Sequence, residues 1–137
     1  MYLIDTVVLS ELRKRDRHPG VLRWLSGKTQ EALFLSAVTI GEIERGIARQ
    51  RVRNPVFAEA LASWLDRTVE IYADRILPVD TTVARRWGRL AARIGHSGAD
   101  LLIAATALEH GLTMVTRNVR HFVATGVPVE DPFGDPT

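Results

Sequence analysis

Short apolar blocks alternate along the whole chain with longer stretches that carry an apolar residue every three or four positions. Tyr2-Leu3-Ile4, stopped by Asp5, has the pattern of a short buried strand. Leu9 and Leu12 follow at helical spacing, and an Arg/Lys/Asp cluster ends that helix before Pro19. Pro19 opens a second helix at its first turn, where its missing N–H costs nothing, and Val21, Leu22, Trp24 and Leu25 carry it to Gly27. Leu33-Phe34-Leu35 predicts a second strand, and Ser36 or Thr39 can cap the helix striped by Ile40, Ile43 and Ile47. Pro55 begins a longer helix through Phe57, Leu61, Trp64, Leu65 and Val69. Ile76-Leu77-Pro78-Val79 predicts an edge strand, since Pro78 cannot donate to a ladder. Thr81 or Thr82 is the expected cap of a helix carrying Val83, Trp87, Leu90 and Ile94, and Ser97 that of a helix from Ala99 to His110 closed by Gly111. Leu112 to Val115 predicts a strand, 117–123 a short helix, and Val127-Pro128-Val129 a last edge strand.

Strands alternating with helices imply an α/β fold with a short, mostly parallel central sheet. The 137 residues contain no repeat, low-complexity tract or linker, so 1–137 is expected to be one domain, with 131–137 as a flexible tail.

Composition narrows the chemistry. There is no Cys, which removes disulfides, thiolate–zinc sites and thiol catalysis. The N-terminus has no basic region before its apolar run, and no apolar run approaches the roughly 20 residues of a membrane span, so a soluble, cytoplasmic protein with no membrane partner is expected. Net charge is only +2, yet of the 18 basic residues only Lys14 and Lys28 are lysine. Arginine's planar fork suits phosphate, although genome base bias enriches arginine as well.

Ligands of open α/β sheets bind outside the carboxyl ends of the strands. Three acids fall there: Asp5 directly after the first strand, Glu42 one turn into the helix after the second, and Asp100 in the first turn of an otherwise apolar helix. Each has a plain structural reading. Asp5 can cap the first helix, Glu42 can pair with Arg45, and Asp100 suits a helix N-terminus. Together, converging carboxylates repel one another unless a cation sits between them, and an all-oxygen cluster suits Mg²⁺ or Mn²⁺ rather than zinc. Phosphodiester hydrolysis is the natural reaction of such a site.

Four segments carry a resemblance. Tyr2-Leu3-Ile4-Asp5-Thr6-Val7-Val8-Leu9-Ser10-Glu11, Leu35 to Ile43, Ala99 to Ala107, and Val115-Thr116-Arg117-Asn118 resemble, in order and spacing, the four motifs of VapC-type PIN domains. The resemblance implies a three-layer α/β/α sandwich, homodimerisation, Mg²⁺- or Mn²⁺-dependent endoribonuclease activity on an RNA substrate, and a VapB-like antitoxin that blocks the acidic pocket, often through a C-terminal tail. It assigns metal binding to Asp5, Glu42 and Asp100, with Asn118 where many members place a fourth acid. Thr116 matches the position whose hydroxyl supports the first acid. Val7 stands where the family often has Asn, which leaves Thr6 or Ser10 to support the cluster. Two neutral residues at family polar positions favour one firmly held metal.

Arg85, Arg89 and Arg93, with Arg86 alongside, and Arg45, Arg49 and Arg53 repeat at i, i+4, i+8 with no acid at i±4. Solvated faces explain both stripes; RNA phosphate contacts, with Arg45, Arg49, Arg85 and Arg89 foremost, are the functional reading. His121 reads as an incidental surface histidine, and Trp24, Trp64 and Trp87 as core or dimer packing. The helices between Val7 and Gly27 could form an apolar groove for a partner helix. The alternative function is a non-catalytic PIN-like binding module that keeps an antitoxin-like partner. A phosphoacceptor role for Asp5 ranks low, because no strand ends in Lys and Val7 stands where a second Asp is wanted.

Overall fold

The computed structural model describes residues 1–134. Its centre is a sheet of five short strands in the order β3-β2-β1-β4-β5: β1 (Tyr2–Ile4), β2 (Leu33–Ser36), β3 (Ile76–Leu77), β4 (Thr113–Val115) and β5 (Val129–Glu130). All four pairings are parallel. Parallel neighbours need crossovers, and the helices supply them. These are α1 (Thr6–Arg13), α2 (Pro19–Ser26), α3 (Ala37–Arg53), α4 (Pro55–Ile71), α5 (Thr81–Ile94), α6 (Ala99–His110) and α7 (Arg120–Val123).

Successive strand residues point to opposite faces, and β1 distributes the core accordingly. Ile4 packs with Val8, Leu9, Val21, Ile43, Ile47 and Leu65, the buried residues of α1 to α4. Leu3 packs with Ile103, Ala104, Ala107 and Phe122, from α6 and α7. α5 lies outside α6, where Val83 and Leu90 meet Ala105. That is why α6 shows almost no polar stripe: it is covered on one side by the sheet and on another by α5. The result is the expected α/β/α sandwich.

Several boundaries differ from expectation for local reasons. The cap of α5 is Asp80, whose Oδ1 accepts from Val83 N–H at 2.9 Å, rather than Thr81 or Thr82. Ser97 does not cap α6; its N-cap is Gly98, without a side-chain bond. Ser36, not Thr39, caps α3 by accepting from Val38 N–H at 3.0 Å. Thr39 is fully buried instead, and its hydroxyl has no partner. Gly111 ends α6 at φ 64°, a left-handed conformation that a Cβ disfavours.

The flexible tail expected from residue 131 does not begin there. Pro132 is buried, with its carbonyl against Gly20, and Phe133 stacks edge-on against His18 at 5.1 Å beneath the Arg117 guanidinium at 4.5 Å. An aromatic residue followed the prolines, and its burial outweighs the disorder that Pro and Gly suggest. The remainder of that expected tail, 135–137, lies outside the described residues. Among the described residues, no helix is long and apolar enough to cross a membrane.

Arg75 is an anchor that periodicity does not signal. Its guanidinium donates to the carbonyls of Gln30 (2.5 Å), Leu33 (2.8 Å) and Ile71 (2.9 Å) and lies over the Tyr72 ring. It ties the end of α4 to the entry of β2.

Candidate active site

From β1 the chain travels outward to β2 and β3, then returns across the sheet to β4. The strand order therefore reverses between β1 and β4, and a crevice opens above their carboxyl ends. Asp5 is the first residue past β1 and Thr116 the first past β4. The Thr116 hydroxyl donates to Asp5 Oδ2 at 2.7 Å, bridging the crevice, and the Asp5 backbone N–H donates to Val115 carbonyl at 2.9 Å. Asp5 Oδ1 accepts from Thr6 N–H at 2.9 Å, so the residue also caps α1. Asp5 is thus the cap of α1, and the same carboxylate takes the Thr116 hydroxyl across the crevice.

Asp5 is only 4% exposed. Burial pushes its carboxyl above the usual 3.8, and the negative charges of Asp100 and Glu42 push it further the same way, against the bonds from Thr116 and Thr6 that favour the anion. The repulsion puts the other two acids within electrostatic reach. Glu42, half-buried on α3, accepts from the Thr6 hydroxyl at 2.6 Å through Oε1. Thr6 thus supplies the support that Val7 cannot; Val7 packs into the α1 to α4 face of the core. Ser10 lines the same hollow as Thr6 and Glu42 without bonding either.

Asp100 stands in the first turn of α6, and its Oδ2 lies 2.9 Å from His121 Nδ1, on α7. His121, read from the sequence as an incidental surface residue, therefore belongs to the rim. It stands 57% exposed beside a carboxylate 36% exposed. The signal for it was only its place shortly after the fourth motif. Asn118 contributes through its backbone: its N–H donates to Thr116 Oγ1 at 3.0 Å, steering the hydroxyl at Asp5, while its side chain is exposed.

The donors facing the crevice are carboxylate and hydroxyl oxygens. Among the described residues, no three His, Cys, Asp or Glu side chains form a ready-made metal cage. Oxygen donors of this kind are those that hard divalent cations take, whereas zinc favours nitrogen and sulfur.

The family of PIN domains matches residues 2–127, nearly the whole described chain. The chain belongs to the PIN domain family. This PIN domain is 34% identical to the VapC ribonuclease Y4jK of Sinorhizobium fredii, over 97% of this chain and 98% of the relative. It is 34% identical to the toxin FitB of Neisseria gonorrhoeae, over 98% of this chain and 100% of the relative. The crystal structure of FitAcB from the same organism superposes with a TM-score of 0.84 at 34% identity, covering 97% of this chain and 99% of that one.

The remaining expected residues lie around the PIN domain rather than in its crevice. Arg45 and Arg49 are exposed on α3 beyond Glu42, without a bond to any described residue. Arg85 is exposed on α5, away from the cleft lined by Arg86, Arg89 and Arg93. The apolar groove expected between the first two helices lies elsewhere. A hollow of about 270 Å³ runs between α1, α3 and α4, walled by Ile43, Phe57, Leu61 and Trp64 and ending at Thr6 and Glu42. Trp24, Trp64 and Trp87 are all half-buried against the core, and Trp64 also forms part of the wall of this hollow.

Proposed function

We propose that this PIN domain is a divalent-metal-dependent endoribonuclease that acts as the toxin of a toxin–antitoxin pair. The observation that carries the reading is the buried Asp5 carboxylate, held across the β1/β4 crevice by Thr116 with Asp100 and Glu42 around it, in a chain alike end to end to a relative named a VapC ribonuclease. A cation unites the two: it offsets the burial and the neighbouring negative charges that raise the Asp5 pKa, and it neutralises phosphate charge.

Asp5, Glu42 and Asp100 are the residues that would hold Mg²⁺ or Mn²⁺. When bound, such an ion lowers the pKa of a coordinated water and stabilises charge on the departing oxygen. The chain's own work is positioning. Thr116 and Thr6 fix both Asp5 oxygens, Thr6 also fixes Glu42 Oε1, and His121 holds one oxygen of Asp100, so each acid presents a defined oxygen to the crevice. The exposed imidazole of His121 also stands where an incoming phosphate would pass.

The groove between α1, α3 and α4 supports an antitoxin partner, since its apolar wall leads to Glu42. An amphipathic helix laid there would deliver a basic side chain to the acids. The relative named a toxin supports the same role. We read the protein as a homodimer on the family resemblance.

The test is cleavage of total cellular RNA by the purified, partner-free protein with Mg²⁺ or Mn²⁺, beside an Asp5→Ala/Asp100→Ala double variant. Metal-dependent cutting that the double variant lacks is the expected result. A wild type that cuts no RNA and binds neither ion would make the protein a non-catalytic PIN-like binding module.

A further inference from the structure

On the far side of α6 from the sheet, α5 and the turn after α7 flank an open cavity of about 340 Å³ lined by Arg86, Arg89, Leu90, Arg93, Leu108 and Thr125. Three guanidinium groups converge on it. Two are held: Arg86 Nε donates to Glu109 Oε1 at 2.8 Å, and an Arg93 NH₂ donates to the Ala124 carbonyl at 3.3 Å. The third, Arg89, makes no hydrogen bond or ion pair with any described residue. Among the described residues, Glu109 is the only acid pairing with the cluster, so the cavity keeps excess positive charge. Two fixed forks and one free fork around a hollow form a receptor for a tetrahedral dianion or a phosphodiester.

Its position says which anion. The cavity and the acidic crevice draw on the same two elements, α6 and the segment of α7 with its following turn. α6 carries Asp100 at one end and Leu108 about 12 Å further along its axis. α7 and its turn carry His121, which touches Asp100, and then Ala124, which holds Arg93, about one helical turn later. A phosphate backbone leaving the crevice past His121 and following α7 would run toward the arginines. The periodic stripe of the sequence was Arg85, Arg89 and Arg93, but packing of α5 on α6 turns Arg86 inward in place of Arg85.

We propose that the Arg86/Arg89/Arg93 cavity is a subsite for an RNA backbone phosphate outside the crevice. The inference rests on the nuclease reading for its name, but its test does not depend on cleavage. The probe is a labelled single-stranded RNA oligonucleotide, bound by the full chain with divalent ions chelated, over a range of salt. Each phosphate contact adds about 0.7 to the slope of log K against log salt for single strands. Arg89→Gln, an exposed position with no partner to lose, is expected to weaken binding and lower the slope by about that amount. Arg89→Lys should restore the slope, and Arg85→Gln should leave it near that of the wild type. Arg89→Gln binding with unchanged affinity and slope overturns the proposal, as does an Arg85→Gln loss equal to that of Arg89→Gln, which would mean a diffuse helix charge. A wild type that cuts no RNA but binds it through Arg89 would remove the nuclease reading and leave the subsite standing.

Discussion

Thr116→Val replaces a hydroxyl by a methyl of nearly the same shape at a position with no solvent exposure. No cavity opens, so the energetic change is confined to two hydrogen bonds. The Thr116 bond to Asp5 Oδ2 is short, buried and charge-assisted, worth about 1.5–3 kcal/mol when the acceptor is ionised. The Asn118 N–H loses its acceptor, but it sits beside solvent and regains water, adding at most about 0.5–1 kcal/mol. A loss of about 2–3 kcal/mol is expected in metal-free buffer at neutral pH.

The pH dependence sharpens that expectation. The folded pKa of Asp5 is raised, so its contribution is fully present below the unfolded value of 3.8 and is lost as pH rises through the folded value. The Thr116 bond opposes that rise. Without it the folded pKa climbs further, and the neutral-pH loss deepens. On acidification the carboxyl is neutral in both proteins, and the deficit shrinks to the roughly 1 kcal/mol of an ordinary hydrogen bond. Urea unfolding at neutral and acidic pH, with the m-value checked for constancy, measures both quantities. A neutral-pH deficit under about 0.5 kcal/mol, or one equal at the two pH values, would refute the claim that Thr116 stabilises an ionised Asp5.

The same linkage gives Asp5→Asn two opposed effects: RNA cleavage is lost, yet the metal-free protein melts higher at neutral pH, an advantage that fades toward acid. Calorimetry that finds the variant less stable at neutral pH would contradict the cost assigned to the buried charge. Arg75→Lys keeps the charge but not the fork that reaches three carbonyls; about 1.5–3 kcal/mol should be lost in denaturant titration, with full stability of the Lys variant counting against the bridging role. In Gly20→Ala the new Cβ would meet the Pro132 carbonyl at 2.6 Å. About 1–3 kcal/mol of destabilisation and faster proteolysis after residue 130 are expected, and an unchanged proteolysis pattern would show that the 131–134 segment is not held by this contact.

Asp5, Glu42 and Asp100 could be found from the chain alone because strand ends in a parallel sheet share one edge, and each acid follows a recognisable strand or opens a recognisable helix. Strand order, and with it the β1/β4 crevice, has no such local trace. Neither has His121: its partner Asp100 is 21 residues away, and a single histidine on a short helix has no period to betray which way it points. Thr6 was visible only as a neighbour of Asp5; that it would reach Glu42, 36 residues on, depends on how α1 docks against α3. Arg75 donates its long-range hydrogen bonds to backbone carbonyls, which every residue possesses. The choice between Arg85 and Arg86 turns on a rotation of α5 that only its packing against α6 decides. Asp80 capped α5 because an acid one residue ahead of two threonines offers its oxygen to the free N–H groups of the first turn.

The bond between Asp5 and Thr116 joins residues 111 positions apart, and β1 becomes a central strand only when β4 lies beside it. On the ribosome, the first acid of the crevice is therefore made 111 residues ahead of its holder. At about 5–20 residues per second the interval is on the order of ten seconds, and more while Thr116 remains in the exit tunnel. Until then β1 has one edge unpaired and Asp5 lacks its brace. A product interrupted before Thr116 thus carries Asp5 and Glu42 without the brace that joins β1 to β4.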